Sequence, residues 1–461
     1  MKELRLGRAG SFVAALAFAA ALVVALVGAS ASHAASPKSH PIHVSPNISG
    51  PQRAPKPGDL FSCQSRPLNG TQGPTCYTPQ QIQQAYGYSG LLASGLNGAG
   101  KTIVIIDAYD NPYLQGDLNI QDSTFGLPDV TLNKVVMPGV PTFDPTDGNQ
   151  VGWGEEETLD VLWAHAMAPA AGITLVEAAS NQDADILAAT EYAVDNHLGD
   201  VISQSFGEAE TCVDPTILSQ EHAVFQQAVD QGMTLLASSG DSGASQFNCD
   251  GTAAILAASS PASDPLVTGV GGTTLSATDP AGMYSVERAW TEPLFGCNPP
   301  ALDYPFDVNC SGGGFSTIYA RPAFQRALVK GGTGRGVPDV AYNAGVNGGV
   351  LTHCGVCNLT IGADPSEPFF FLFGGTSAGS PQWAALTADA DQLAGHDLGD
   401  INSKLYSIAA GPGPKALHDV VQGNNDVAEI GGQGYNAGQG WDPVTGLGTP
   451  NAAYLLPALA K

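Results

Sequence analysis

The sequence predicts an α/β protein with a mainly parallel β-sheet and helices on both faces. Two observations carry this: short, almost unbroken apolar runs rich in β-branched residues, and helical patterns alternating with them. A parallel strand is covered on both faces, so it reads as a continuous apolar run. Strand and helix in alternation make βαβ units, and right-handed crossovers put helices on both faces.

The expected strands are residues 101–107 (KTIVIID), 173–178 (ITLVEA), 201–203 (VIS) and 234–238 (TLLAS). Helical patterns cover 184–196 and 218–231 between the later strands. A further helix is expected over 380–394, opened by Pro381 in its first turn. Residues 417–450 are dense in Gly, Asn and Asp, which predicts a loop-rich tail packed on the sheet.

Ahead of this domain the texture differs. Lys2, Arg5 and Arg8 precede an apolar run over 12–27, and Ser32-His33-Ala34 closes it with small residues. Residues 1–34 are therefore expected to be a cleaved export signal, in preference to a membrane anchor. Residues 35–76, rich in Pro, Ser and Gly, are expected to be an extended lead-in without a folded prodomain. The domain itself is expected over 77–461, and a monomer is expected. Formal net charge is −26 over 461 residues. Such a surface repels nucleic acid and anionic membranes, so neither is expected as a partner.

Eight cysteines in an exported chain suggest disulfides. Neighbours are the expected pairs: Cys63 with Cys76, Cys212 with Cys249, Cys297 with Cys310, and Cys354 with Cys357. Cys354-Gly-Val-Cys357 also admits a redox or zinc reading, but no second Cys-x-x-Cys completes a zinc cluster.

Three segments carry candidate chemistry. Gly374-Gly375-Thr376-Ser377 leads into the 380–394 helix, whose N-terminus supplies positive potential for an exposed nucleophilic hydroxyl. The plainer reading is a glycine-rich loop with a serine cap. A nucleophilic serine needs a base, and none of the nine histidines precedes Gly-Thr, as the usual partner would. Glu156 and Asp160 stand one turn apart on one face of a helical pattern whose apolar side is Leu159, Leu162, Trp163 and Ala166. Adjacent carboxyls share a proton, and such a pair can serve as base in acid, where histidine is protonated. The plainer reading is an acidic first turn favoured by the helix dipole. Asp241, in Ser239-Gly240-Asp241-Ser242-Gly243, follows an expected strand and would donate to an oxyanion if protonated. The plainer reading is a polar turn.

Together the three segments resemble the sedolisins, the serine-carboxyl peptidases, whose fold is subtilisin-like. The matching residues are Glu156-x-x-x-Asp160, Ser239 to Gly243, and Gly375-Thr376-Ser377-x-x-x-Pro381. Supporting segments are Tyr77-Thr78-Pro79, Ala168 to Ala171, Ser203 to Gly207, Ser311 to Ser316 and Val337 to Ala341. The resemblance implies an acid endopeptidase acting on proteins or peptides. In it Ser377 is the nucleophile, Glu156 the base, Asp160 its orienting partner and Asp241 the oxyanion donor. A strand at Ser205-Phe206-Gly207 would hold the substrate backbone. Glu155, Glu157 and Asp107 are not assigned catalytic roles, and Asp107 is expected to be structural. The resemblance also implies one structural calcium ion held by Asp419, Val420, Gly438, Gly440 and Asp442; composition alone reads these as a glycine-rich loop with a few carboxylates. The family is usually made with a large folded prodomain, which residues 35–76 do not resemble. Two other readings compete: a secreted non-catalytic binding protein on the same fold, and a glycosidase with paired carboxylates. The glycosidase reading leaves Ser377 without a task.

Overall fold

The computed structural model describes residues 39–42, 44, 46–65, 75–277, 281–292, 309–411 and 416–461. The expected signal at 1–34 lies outside them. In chain order the elements that position the site are β1 (Asn47–Arg53), β2 (Thr102–Ala108), β3 (Asn133–Val136), α1 (Gly148–Met167), β4 (Gly172–Ala178), α2 (Asp183–Asp195) and β5 (Val201–Gln204). They continue with α3 (Pro215–Asp230), β6 (Thr234–Ser238), β7 (Thr268–Ala277), β8 (Tyr284–Ala289), β9 (Val340–Asn343), β10 (Gly349–His353), β11 (Phe369–Gly374) and α4 (Gly379–Ala394).

The central sheet runs β8-β7-β6-β5-β2-β4-β3, and β9 pairs with β7 as well. Among the described residues seven of its strands are parallel and β8 alone is antiparallel. β2 lies between β4 and β5, so the chain direction across the sheet reverses there. Ligand sites of open α/β sheets form beyond the strand carboxyl ends at such a reversal.

The residue pattern explains the layering. Leu159, Leu162, Trp163 and Ala166 of α1 pack with Trp383 and Leu386 of α4 in one core. Ile186 and Ala189 of α2 and Val224 and Phe225 of α3 pack in a second core with Val104 and Ile106 of β2. Ile103 and Ile105 of β2 belong to the first core, so α1 and α4 cover one face and α2 and α3 the other. Each fully buried Leu, Ile or Phe is worth roughly 1.5–3 kcal/mol. The expected strands and helices stand within a few residues of their predicted bounds.

β7 was not expected. Its centre, Gly269-Val270-Gly271-Gly272-Thr273, lacks the side-chain bulk that marks a buried strand. β1 was not expected either, within the lead-in. It pairs antiparallel with β11, Ile48 opposite Phe373 and Arg53 opposite Phe369, in a second sheet of order β1-β11-β10 and the Cys76–Tyr77 segment. A register shift between Ser49 and Gln52 breaks the alternation that would have shown it in the sequence. The 417–450 region is irregular apart from Leu417–His418, a short turn at Ala428–Ile430 and Thr449–Pro450.

Disulfides join Cys63 to Cys76, Cys212 to Cys249 and Cys354 to Cys357. Cys310 is disulfide-bonded as well, and Cys297 lies outside the described residues. Cys354 and Cys357 are therefore paired with each other, and both are buried. No helix among the described residues is long and apolar enough to cross a membrane.

Candidate active site

Three elements meet beyond the carboxyl ends of β2, β5 and β6. The loop after β11 carries Thr376-Ser377-Ala378 as a single 3-10 turn that runs directly into α4. Ser377 is 8% exposed, reachable but held, and its hydroxyl donates to the Ser205 carbonyl at 3.2 Å. The Ser203 and Ser380 hydroxyls lie 2.8 Å apart and fix the start of α4 to β5.

Glu156 and Asp160 project from α1 and are buried. Burial, then the neighbouring Asp160 charge, pushes Glu156 well above the usual carboxyl range, while a hydrogen bond from Ser377 pulls it back. Glu156 therefore lies within reach of Ser377, whose hydroxyl donates in this structure to the Ser205 carbonyl. Asp160 is also pushed well up, by burial and then by Asp107, and the Ser205 hydroxyl opposes this. Burial and mutual proximity thus favour the protonated forms of both carboxyls, as expected of adjacent buried acids.

Asp241 stands in the loop after β6, beside the residue preceding Ser377. Its Oδ1 accepts from the Thr376 amide at 2.8 Å and the Thr376 hydroxyl at 2.7 Å. Its Oδ2 accepts from Asn47 Nδ2 at 2.7 Å. Burial raises its pKa, and these donors offset part of the rise. The approach requires glycine at 375: φ is +93°, and a Cβ there would stand 2.4 Å from Asp241 Oδ2. The Ser311-Gly-Gly-Gly314 segment buttresses this loop, since Gly312 N donates to Gly240 O and Cys310 N to Asp241 O.

The structure thus brings Ser377, Glu156, Asp160 and Asp241 to one place. It also brings Asp107, which the sequence suggested was merely structural. Asp107, the penultimate residue of β2, is fully buried, neither of its oxygens has a hydrogen-bond partner among the described residues, and Glu156 is the charge that most raises it. Glu157 turns away toward Glu177, whose carboxylate pairs with Lys134 at 2.5 Å. Glu155 is raised to about 7 by burial alone.

Carboxyls with raised pKa values favour the protonated, folded chain. Their stabilisation is complete below the ordinary carboxyl range and is lost as pH rises through the folded values. Glu155, Glu177 and Asp391 stand at about 7, and Glu208 and Glu221 at about 8. The melting temperature is expected to fall by about 5 °C or more between about pH 4 and 8. A scanning-calorimetry series that is flat or rising over that window would contradict the protonation of these carboxyls in the folded chain.

A subtilase family model matches residues 155–400, which contain all four residues. The chain is 35% identical to kumamolisin of Bacillus sp. (strain MN-32) over 395 residues, 84% of this chain and 64% of kumamolisin. It is 32% identical to sedolisin of Pseudomonas sp. (strain 101) over 372 residues, 79% of this chain and 58% of that one. The solved Pseudomonas sedolisin, a serine-carboxyl proteinase complexed with two molecules of pseudo-iodotyrostatin, superposes with TM-score 0.70 and 30% identity. That match covers 83% of this chain and 97% of the solved one. The chain belongs to the sedolisin family. It spans about three fifths of the length of these two curated sedolisins.

Two further parts of the sedolisin expectation have a place in the fold. Ser205, Phe206 and Gly207 lie beyond the end of β5, so the regular strand expected there stops at Gln204. Phe206 packs on Trp153 of α1 with ring centroids 5.8 Å apart. In the C-terminal loops, Gly440 N donates to Asp419 at 3.1 Å and Gly438 N to Asp442 at 3.0 Å. The Thr445 hydroxyl contacts both Val420 O and Asp442. The five residues therefore form one cluster. Among the described residues no group of three or more His, Cys, Asp or Glu is arranged to hold a metal. A set of two carboxylates completed by backbone carbonyls is a different kind of donor set, and it suits an oxygen-seeking ion.

Two contacts had no signal in the sequence: Asn47 on Asp241, and the Ser205 carbonyl on Ser377. Each joins segments far apart in the chain through a common polar residue.

Proposed function

We propose that the chain is an exported serine-carboxyl endopeptidase that hydrolyses peptide bonds of proteins in acid. One observation carries the reading: Glu156, buried and paired with Asp160, lies next to Ser377, while Asp241 is bonded to the residue before it. No histidine takes part.

In this reading Ser377 Oγ attacks the peptide carbonyl carbon as Glu156 takes its proton. Asp160 shares the remaining proton of the pair and holds Glu156 in position. Asp241, protonated because it is buried, donates to the developing oxyanion from Oδ2, while Oδ1 stays fixed by Thr376. Glu156 returns its proton to the leaving amine. Water then hydrolyses the ester, with the same carboxyl as base. Residues 205–207 would pair with an extended substrate backbone. The decisive assay is digestion of a denatured protein across about pH 3 to 7. Absence of cleavage throughout would sink the reading.

Asp419, Val420, Gly438, Gly440 and Asp442 would hold one structural calcium ion. Burial raises Asp442 to about 6 without a cation, and a bound cation would favour its ionised form. Bound calcium stabilises by tying the C-terminal loop together. Chelation is expected to lower the melting temperature by several degrees, about 1–3 kcal/mol at saturating calcium. An unchanged temperature after exhaustive chelation would remove the ion from this account.

A further inference from the structure

The helix that carries Glu156 is gripped from behind by one side chain. Asn111 lies in the loop after β2 and is 1% exposed. Its Nδ2 donates to Gly154 O at 2.9 Å and to Thr158 Oγ1 at 3.1 Å. The Thr158 hydroxyl in turn donates to Gly154 O at 2.7 Å, so its oxygen accepts from Asn111 while its proton stays within the turn. The Tyr113 amide donates to Asn111 Oδ1 at 3.0 Å, which points the side-chain oxygen at its own loop and the nitrogen at α1.

Gly154 and Thr158 bracket Glu156. Each helical step turns about 100°, so both lie roughly opposite Glu156, and Asp160 leaves on nearly the same side as Glu156. Asn111 thus holds the back of the turn whose front carries the carboxyl pair, and it touches no reacting group. The grip needs a bare backbone at 154: a Cβ there would meet Val356 Cγ2 at 3.1 Å and Asn111 Cβ at 3.8 Å.

This turn is where α1 needs outside support. Leu159, Leu162, Trp163 and Ala166, which seat the helix in the core, all follow Glu156. The turns before it contain Gly148, Gly152 and Gly154, which weaken a helix. The supporting loop is itself pinned. Tyr109 has φ +72°, a left-handed conformation that side chains disfavour, directly after β2. Its amide donates to Ala178 O at 3.0 Å and its hydroxyl to Asn181 Oδ1 at 3.0 Å. Lys134 of edge strand β3 donates to Asn111 O at 3.2 Å and to Asp110 Oδ1 at 2.6 Å.

We infer that Asn111 is a positioning residue for the general base: by tying Gly154 and Thr158 to the loop after β2, it sets the reach of Glu156 to Ser377. The inference rests on the peptidase reading above.

The test is steady-state kinetics on a fluorogenic peptide in acid. Asn111→Ala and Asn111→Leu, the second restoring bulk without the amide, are each expected to lower kcat about 10- to 100-fold with KM changed by less than about twofold, since a misplacement of about 1 Å costs up to about 100-fold. Thr158→Val is expected to lower kcat as well, and Thr158→Ser, which keeps the hydroxyl, to regain most of that loss. In a Glu156→Gln background Asn111→Ala is expected to cost no more than about twofold, because a residue acting through Glu156 has no base left to position. An unchanged kcat in Asn111→Ala, recovery in Asn111→Leu, or a loss that multiplies in full on that of Glu156→Gln overturns the inference. If the wild type still digests denatured protein, the peptidase reading stands. Should Asn111→Ala fail to fold, the Thr158 pair decides: equal kcat in the Val and Ser variants overturns the inference. A wild type that cleaves neither peptide nor protein defeats both readings.

Discussion

Exchange of Ser377 for Ala is expected to lower kcat by at least about 10^4-fold with the fold intact, and Glu156→Gln by about 10^2- to 10^4-fold. The two losses are not additive, because nucleophile and base act on one proton. The Ser377→Ala, Glu156→Gln double variant should be no slower than Ser377→Ala alone. Gln is nearly isosteric with Glu and cannot accept the proton, so the change isolates base function from packing. Glu156 is buried and feels Asp160, Asp241 and Glu155 as like charges. Removing it also relieves repulsion, so Glu156→Gln should melt at or above the wild-type temperature at neutral pH. Loss of activity with retained or raised stability is the signature of a base; loss of both would mean a structural acid. Glu157→Gln is the comparison: it is just as buried but faces Glu177 and Lys134, and it should leave kcat within a few-fold.

The parts of this molecule that were legible in its sequence share a physical cause. β2, β4, β5 and β6 are recognisable because burial on both faces demands apolar side chains at every position. α1 is recognisable because Leu159, Leu162, Trp163 and Ala166 must all meet one core. Glu156 and Asp160 stand out because a helix fixes the relation between positions four apart. β7 escaped because glycine lets backbone pack where side chains usually do, and β1 because its alternation is broken by a register shift. Asn47 escaped for a different reason. Its partner Asp241 is reached only through strand pairing with β11, and pairing between distant segments leaves no local trace in sequence.

Asp107 shows how position and role come apart. It lies one residue before the end of β2, where the sheet reverses, a position at which an ordinary subtilisin-like enzyme carries its triad aspartate, and the sequence reading gave it a structural role. In the fold its charge ranks second in raising Asp160, and Glu156 ranks first among the charges raising Asp107. The three carboxyls are buried and each raises another, so the acidity of the proposed base depends on the group. In the proposed reading, any acid dependence of the site would follow from its burial and not from the overall charge of −26.

Asp241→Ala is expected to lower kcat by about 10^2- to 10^3-fold with little change in KM, because an oxyanion donor acts only once charge develops on the carbonyl oxygen. Asp241 has a second task, however. Its Oδ1 holds the Thr376 amide and hydroxyl next to Ser377, so Ala also loosens the nucleophile. Asp241→Asn separates the two. The Asn carbonyl keeps both Thr376 bonds, and its amide offers an N–H at the former Oδ2 whatever the pH. A purely positional Asp241 predicts that Asn restores the wild-type rate and leaves the pH profile alone. An oxyanion acid predicts a smaller loss than Ala together with removal of the alkaline limb that its ionisation imposes on kcat, since burial already holds its pKa above the ordinary range. A profile for Asp241→Asn that keeps the wild-type alkaline limb would assign that limb to the Glu156–Asp160 pair and leave Asp241 as a support for Thr376.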